Sequence, residues 1–176
     1  PTQSNFWRYF HNNFTSLGLK KLIATHFQED SEPSYALIYE GGDDFNMDAG
    51  EIDTIHGDKK YTAGDFRSQD SINYLKEADI IVTNPPFSLF REYIAQIMEH
   101  QKKFIVIGNK NSVTYKEIFP LSQNNQIWIG ARKMNSDFWL YVPDDAEYEK
   151  LDEDSRRVKH IMACWYTNLD LQKRHD

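Results

Sequence analysis

Asn84-Pro85-Pro86-Phe87 gathers an amide, two proline carbonyls and an aromatic ring within four residues. Consecutive prolines supply no N–H, so the stretch cannot extend a sheet ladder or sit deep in a helix. It reads as a stiff turn with bare carbonyls. Such a turn can hold a flat, amino-bearing ring, its oxygens accepting from the amino group while the aromatic stacks on the ring face. The bland alternative is an ordinary strand-to-helix turn, because proline pairs often punctuate loops. Context favours the chemical reading. The apolar run Ile80-Ile81-Val82-Thr83 precedes the turn and an amphipathic segment opens at Ser88, and a motif counts only in such a setting.

Open α/β sheets place ligands at the carboxyl ends of their strands. Two further candidates occupy such positions: Thr25-His26 after Leu22-Ile23-Ala24, and Gly64-Asp65-Phe66. A carboxylate followed by an aromatic suits an adenine ring, Asp65 accepting from the exocyclic amine and Phe66 packing on its face. Taken alone, Asp65 reads first as a turn or helix-start residue, and only beside the Asn84–Phe87 turn does the adenine-pocket reading draw level. Gly41-Gly42-Asp43-Asp44 is a poor phosphate cradle, since strand-like rather than helical sequence follows it. There is no G-x-G-x-x-G, Walker loop, H-E-x-x-H or paired C-x-x-C. The six histidines are scattered, and no metal site is expected. His160 and Cys164 read as structural, the thiol lying in an apolar run that suits a core position.

These residues need elements to position them. Phe6, Phe10, Phe14 and Leu17 share a helical face, with Ser4 as N-cap and Gly18 as the stop. Tyr35–Tyr39 and Ile52–Ile55 read as a strand pair, and Tyr61–Phe66 as a short strand. Gln69–Glu77 is expected to be a helix, Ile80–Thr83 a buried strand, Ser88–Glu99 a helix and Phe104–Ile107 another buried strand. Thr114 and Glu117 have capping-box spacing and should start the next helix. Strands are expected at Ile127–Ile129, Phe138–Val142 and Ile161–Tyr166, with an acidic, exposed link at Asp144–Asp154. Apolar strands alternating with helices predict an α/β fold, a mostly parallel sheet finishing in antiparallel strands.

The chain has 176 residues, one domain by the usual prior, and a formal charge of −7. That balance counts mildly against a dedicated nucleic-acid binder, although basic clusters stand at Lys102-Lys103, Arg132-Lys133, Arg156-Arg157-Lys159 and Lys173-Arg174-His175. No apolar stretch is long enough to span a membrane. The single cysteine fits a reducing, cytoplasmic setting.

Asn-Pro-Pro-aromatic at a strand end resembles the catalytic motif of S-adenosylmethionine-dependent amino methyltransferases. More of the chain resembles the EcoRI-type adenine-specific DNA methyltransferases: Ser4 to Phe10, Leu17 to His26, Gly64 to Ser68, Ala78 to Tyr93, Ile107 to Asn111, Thr114 to Pro120 and Cys164 to Asp170. The resemblance implies a Rossmann-like methyltransferase sheet and a cytoplasmic enzyme of a restriction-modification system. It would methylate N6 of a flipped-out adenine in double-stranded DNA, with a cognate restriction endonuclease as a functional rather than physical partner. By the same resemblance, Asn84, Pro85, Pro86 and Phe87 hold the target adenine. Asp65 and Phe66 hold the cofactor adenine, with Thr25, His26 and Ser4 also on the cofactor side. Thr25-His26 occupies a position that often carries an acidic ribose ligand. In this family an Asp-Pro segment leads into Ser-Asn-Phe, and Pro1 resembles its last residue. The expectation is one catalytic domain over 1–176, lacking an N-terminal cofactor-binding strand and a C-terminal target-recognition region. The turn alone would equally serve an enzyme acting on RNA or on a protein amide. A cofactor-free nucleic-acid-binding relative is the remaining alternative, and retention of all four turn residues argues against it.

Overall fold

The chain folds into two compact units, Pro1–Asp79 and Ile80–Asp176. The computed structural model describes residues 2, 4–27, 29, 33–42, 50–130, 138–142 and 147–170. Asp43, Asp44, Arg132, Lys133 and the 173–175 basic cluster lie outside the described residues.

In the N-terminal unit, helix α1 (Asn5–Asn12) starts where Ser4 Oγ accepts from the Phe6 N–H at 3.2 Å. Its inward face is Trp7 and His11, with Phe14 just beyond the helix, while Leu17 is exposed. The expected face of Phe6, Phe10, Phe14 and Leu17 is therefore rotated. The helix ends at Asn12 and the chain turns, which frees Leu17 from its register, and the indole of Trp7 offers the larger apolar area to bury. Gly18, at φ +65°, lets the chain reverse so that the Leu19 N–H reaches the Phe14 carbonyl.

Strands β1 (Leu22–Thr25), β2 (Ser34–Tyr39) and β3 (Glu51–Ile55) make an antiparallel sheet in the order β1-β2-β3. Trp7, Phe14, Leu37 and Tyr39 form the core against Leu19, Leu22 and Ala24.

The strand expected at Tyr61–Phe66 is absent, replaced by successive turns. The reason is a side chain that satisfies the backbone locally. Asp58 Oδ1 accepts from the N–H groups of Lys60 and Tyr61, Oδ2 accepts from Gln69, and the Asp58 N–H donates to the Tyr61 carbonyl. Helix α2 (Gln69–Glu77) follows as expected, capped by the fully buried Ser68.

The C-terminal unit is built on a crossover. Strand β4 (Ile80–Thr83) leads through a 3-10 turn at Phe87–Leu89 into helix α3 (Phe90–Glu99) and back to strand β5 (Lys103–Asn109), which pairs parallel to β4. Helix α4 (Phe119–Gln123), strand β6 (Trp128–Ile129) and strand β10 (Ala163–Thr167) complete this part. The sheet order is β4-β5-β10-β6, with β10 antiparallel to both neighbours. Strands β7 (Phe138–Tyr141), β8 (Lys150–Leu151) and β9 (Arg157–Ile161) form a small antiparallel sheet ordered β7-β9-β8.

The fold is thus mixed α/β. Among the described strands β4–β5 is the parallel pair and the others are antiparallel, where a mostly parallel sheet was expected. Apolar runs announce burial on both faces without stating strand direction. Two boundaries also differ. The run at 161–166 is split at Met162 into the end of β9 and the start of β10. Within the acidic link, Asp152 accepts from the N–H groups of Asp154 and Arg156, closing a β8–β9 hairpin. Thr114 does not cap the next helix. Its Oγ1 donates to the Asn111 carbonyl at the end of a 3-10 turn (Lys110–Thr114), and α4 begins later with Pro120 in its first turn.

Helix α3 buries Phe90, Ile94 and Ile97 at 0–1% exposure, which contributes about 1.5–3 kcal/mol per side chain. The ring of Phe90 lies on Gly108, where an added Cβ would stand 2.3 Å from Phe90 Cε2. Gly108→Ala should therefore cost roughly 1–3 kcal/mol through overpacking. Combining it with Phe90→Leu should restore part of that loss, read as the midpoint of urea unfolding.

Candidate active site

The parallel register sets Thr83 beside Val106, so Asn84-Pro85-Pro86 sits at the carboxyl end of β4. Pro85 is buried while Asn84, Pro86 and Phe87 are exposed. The Pro86 carbonyl accepts from the Leu89 N–H at 2.9 Å and opens the 3-10 turn. Among the described residues, no hydrogen bond engages the Asn84 side chain or the Pro85 carbonyl. Among the described residues, two acceptors therefore stand open on a stretch of backbone stiffened by proline.

The turn is held from behind. Tyr93 of α3 is hydrogen-bonded by the side chain of Thr83, the residue directly before Asn84. Burial pushes the Tyr93 phenol up to about 12 against the opposing effect of that bond, so it is neutral under ordinary conditions. Beside the turn, Asn109 Oδ1 accepts from the Asn111 N–H at 2.8 Å, and the Tyr166 hydroxyl donates to the Asn109 carbonyl at 2.8 Å. Burial raises the Cys164 thiol, outweighing its hydrogen bond with Tyr166, which suits a packed rather than a nucleophilic cysteine.

In the N-terminal unit, two of the sequence-predicted cofactor stretches meet. Gly64 has φ +80°, and a Cβ there would lie 2.0 Å from the His26 carbonyl oxygen. Backbone contact at that glycine joins the Gly64-Asp65-Phe66 turn to the end of β1. Thr25 is exposed there. His26 is committed to structure: its ring stacks on Tyr35 at 5.2 Å, and its Nδ1 lies 3.0 Å from Ser34 Oγ. Because the Ser34 hydroxyl donates to the His26 carbonyl at 2.6 Å, Nδ1 carries the proton of that contact. Ser4 is engaged as the cap of α1.

Asp65 has a partner that the sequence reading missed. Its Oδ1 accepts from the Arg67 backbone N–H and from Arg67 Nε, both at 2.9 Å, and its Oδ2 accepts from Arg67 Nη2 at 2.7 Å. The guanidinium lies 4.5 Å over the Tyr61 ring and 5.1 Å over the Phe66 ring. Burial acts to raise the Asp65 carboxyl, but the Arg67 bonds and charge prevail and hold it below its ordinary value. Acid, aromatic and arginine in sequence was the available signal, since i,i+2 residues across a tight turn can close a fork. Among the described residues, no group of three or more His, Cys, Asp or Glu could hold a metal ion, and no helix is long and apolar enough to cross a membrane.

The family model for the adenine-specific methyltransferase EcoRI matches residues 1–176. The chain belongs to this family. It is 41% identical over 191 residues to the type II methyltransferase M.EcoRI of Escherichia coli, a match covering 99% of this chain and 57% of that protein. It is 38% identical over 175 residues to the type II methyltransferase M.MpnI of Mycoplasma pneumoniae, covering 95% of this chain and 50% of the relative. A third relative, the type II methyltransferase M.MgeORF184P of Mycoplasma genitalium, is 36% identical, covering 94% of this chain and 50% of its own length. The chain spans about half the length of these curated relatives. No solved structure matches it.

The folded Asp65 carboxyl lies below its unfolded value of roughly 4. Its pairing with Arg67 therefore stabilises fully above that value, and the contribution disappears as pH falls through the folded pKa. Asp65→Asn should lower stability near neutrality and make the acid-side loss shallower. Thermal unfolding between about pH 6 and pH 3 reads both effects.

Proposed function

We propose that the protein is an S-adenosylmethionine-dependent methyltransferase acting on N6 of adenine in double-stranded DNA, as the modification enzyme of a restriction-modification system. The observation that carries this reading is the pair of open acceptors, Asn84 Oδ1 and the Pro85 carbonyl, at the carboxyl end of β4 in a chain of this family. The β4–α3–β5 crossover supports a Rossmann-like sheet, the setting in which ligands bind at strand ends.

Adenine N6 is a poor nucleophile because its lone pair is delocalised into the ring. Acceptors at Asn84 and Pro85 take both amino hydrogens and favour a pyramidal nitrogen with a localised pair. As positive charge develops on that nitrogen, the two fixed dipoles stabilise it without reorganising. Pro85 and Pro86 hold the dipoles in place, so little entropy is lost on binding. Phe87, exposed at 36%, offers its ring to the base. The amino group is out of reach inside a duplex, so the adenine is extruded at a cost of a few kcal/mol. Stacking on Phe87, worth roughly 1–3 kcal/mol, offsets part of that.

Bound S-adenosylmethionine supplies the electrophilic methyl group. Two features support Asp65 and Phe66 as the residues that would hold it: among the described residues Asp65 Oδ2 has an acceptor position beyond Arg67 Nη2, and the Phe66 ring, overlaid by the same guanidinium, adjoins that carboxylate in the chain. Thr25, exposed at the adjoining strand end, is the further residue we assign to the cofactor, while His26 and Ser4 are engaged in ring stacking and helix capping.

Three outcomes test this function. Methylation of defined duplex DNA by the full-length protein, with the product mapped, should place the methyl on adenine N6. Transfer confined to RNA or protein would reject the substrate. Asn84→Ala should lower kcat by roughly a hundredfold or more while leaving the dissociation constant of S-adenosylhomocysteine nearly unchanged. Asp65→Ala should raise that constant by about tenfold.

A further inference from the structure

We propose that Arg67 is a specificity-determining positioning residue, which leaves Asp65 a single acceptor position and so matches the cofactor site to an amino-bearing purine. This rests on the reading of Asp65 as the acceptor for the cofactor's adenine.

A carboxylate offers about four lone-pair positions. Arg67 fills both on Oδ1, through its backbone N–H and Nε, and one on Oδ2 through Nη2. Among the described residues, nothing fills the fourth, on Oδ2. Its direction is fixed because the carboxylate is gripped on both oxygens and cannot rotate. The grip is itself fixed. The Asp65 and Arg67 side chains are only 11% and 23% exposed, and the guanidinium rests over Tyr61 and Phe66. The backbone is pinned too, the Asp65 N–H donating to the Thr62 carbonyl and the Asp65 carbonyl accepting from Ser68.

An exposed ion pair would be worth little and would impose no direction. This one is planar, two-pronged and backed by rings, a geometry that lysine cannot reproduce. Its consequence is chemical. A free carboxylate could turn toward a donor from many angles. The gripped one presents one lone pair, which accepts an amino N–H and repels a carbonyl oxygen. Because Arg67 balances the charge of Asp65, selection rests on hydrogen-bond direction rather than on net charge.

Calorimetric titration of the full-length protein with S-adenosylhomocysteine and with S-inosylhomocysteine, which carries a carbonyl in place of the amine, tests this. The parent protein should prefer the adenosyl compound by roughly ten- to a hundredfold. Arg67→Met, which keeps an apolar stem over the rings, should narrow that ratio by about tenfold. Arg67→Lys keeps the charge without the fork and should narrow it similarly; it is read in place of Arg67→Met should that variant fail to fold. A merely structural arginine would weaken both ligands alike and leave the ratio unchanged. An unchanged ratio in the folded Arg67 variants, with a narrowed one in Asp65→Asn, overturns the role of Arg67 and leaves the cofactor reading standing. A ratio unmoved in Asp65→Asn as well removes Asp65 from the adenine, and both readings fall.

Discussion

The approach of the Phe90 ring to the backbone of Gly108 governs the C-terminal unit. A side chain at 108 would occupy the space the ring now fills. Phe90 is the first residue of α3, and the 3-10 turn that precedes it begins at Phe87. Where Phe90 lands therefore decides where the Asn84–Phe87 turn ends. The bond between Thr83 and Tyr93 decides where it begins. Between these two anchors stand two prolines with little freedom of their own. Rigidity at Asn84 is thus inherited from the core and from the 3-10 turn, in which the carbonyls of the exposed Pro86 and Phe87 accept from Leu89 and Phe90.

The N-terminal unit solves a different problem, the positioning of a carboxylate on irregular backbone. Two aspartates divide the work. Asp58 spends its oxygens on the N–H groups of Lys60, Tyr61 and Gln69, and so shapes the turns. Those backbone bonds also hold its carboxyl below the ordinary value. Asp65 spends its own on Arg67. Gly64 then lets this assembly touch the end of β1, which no residue with a Cβ could do at φ +80°. The stacking of His26 on Tyr35 gives that contact a fixed wall.

Much of this was legible in the residues. Gln69–Glu77 and the apolar heart of Lys103–Asn109 form the elements expected, because uniformly apolar runs and clear caps leave few alternatives. Ile80–Thr83 forms its strand but at the sheet edge, with Ile80 exposed, where a buried strand was expected. Of the candidate stretches, Thr25-His26 lies at a strand end as expected, whereas Gly64-Asp65-Phe66 lies on turns rather than at the strand end expected, and a steric contact joins the two. What escaped was decided by partners distant from the pattern. The aromatic alternation of Tyr61 to Phe66 looks like a strand, and only the oxygens of Asp58 make turns the better outcome. The face of α1 turned on whether Trp7 or Phe6 was buried, a choice set by tertiary volume. Strand direction left no mark in composition. Arg67 was visible two positions after Asp65, but whether its fork would close on that carboxylate depended on the intervening turn.

One property of the Asn84–Phe87 turn reaches further. It consists of a primary amide, two tertiary amides and hydrocarbon, and the phenol behind it keeps its proton far into alkali. None of these groups exchanges a proton with its surroundings as cellular acidity drifts. The turn is in effect a permanent magnet rather than a switch, offering the same polarity at every moment. An arrangement of this kind has no protonation-dependent form, so a change of pH reaches it only through the surrounding fold.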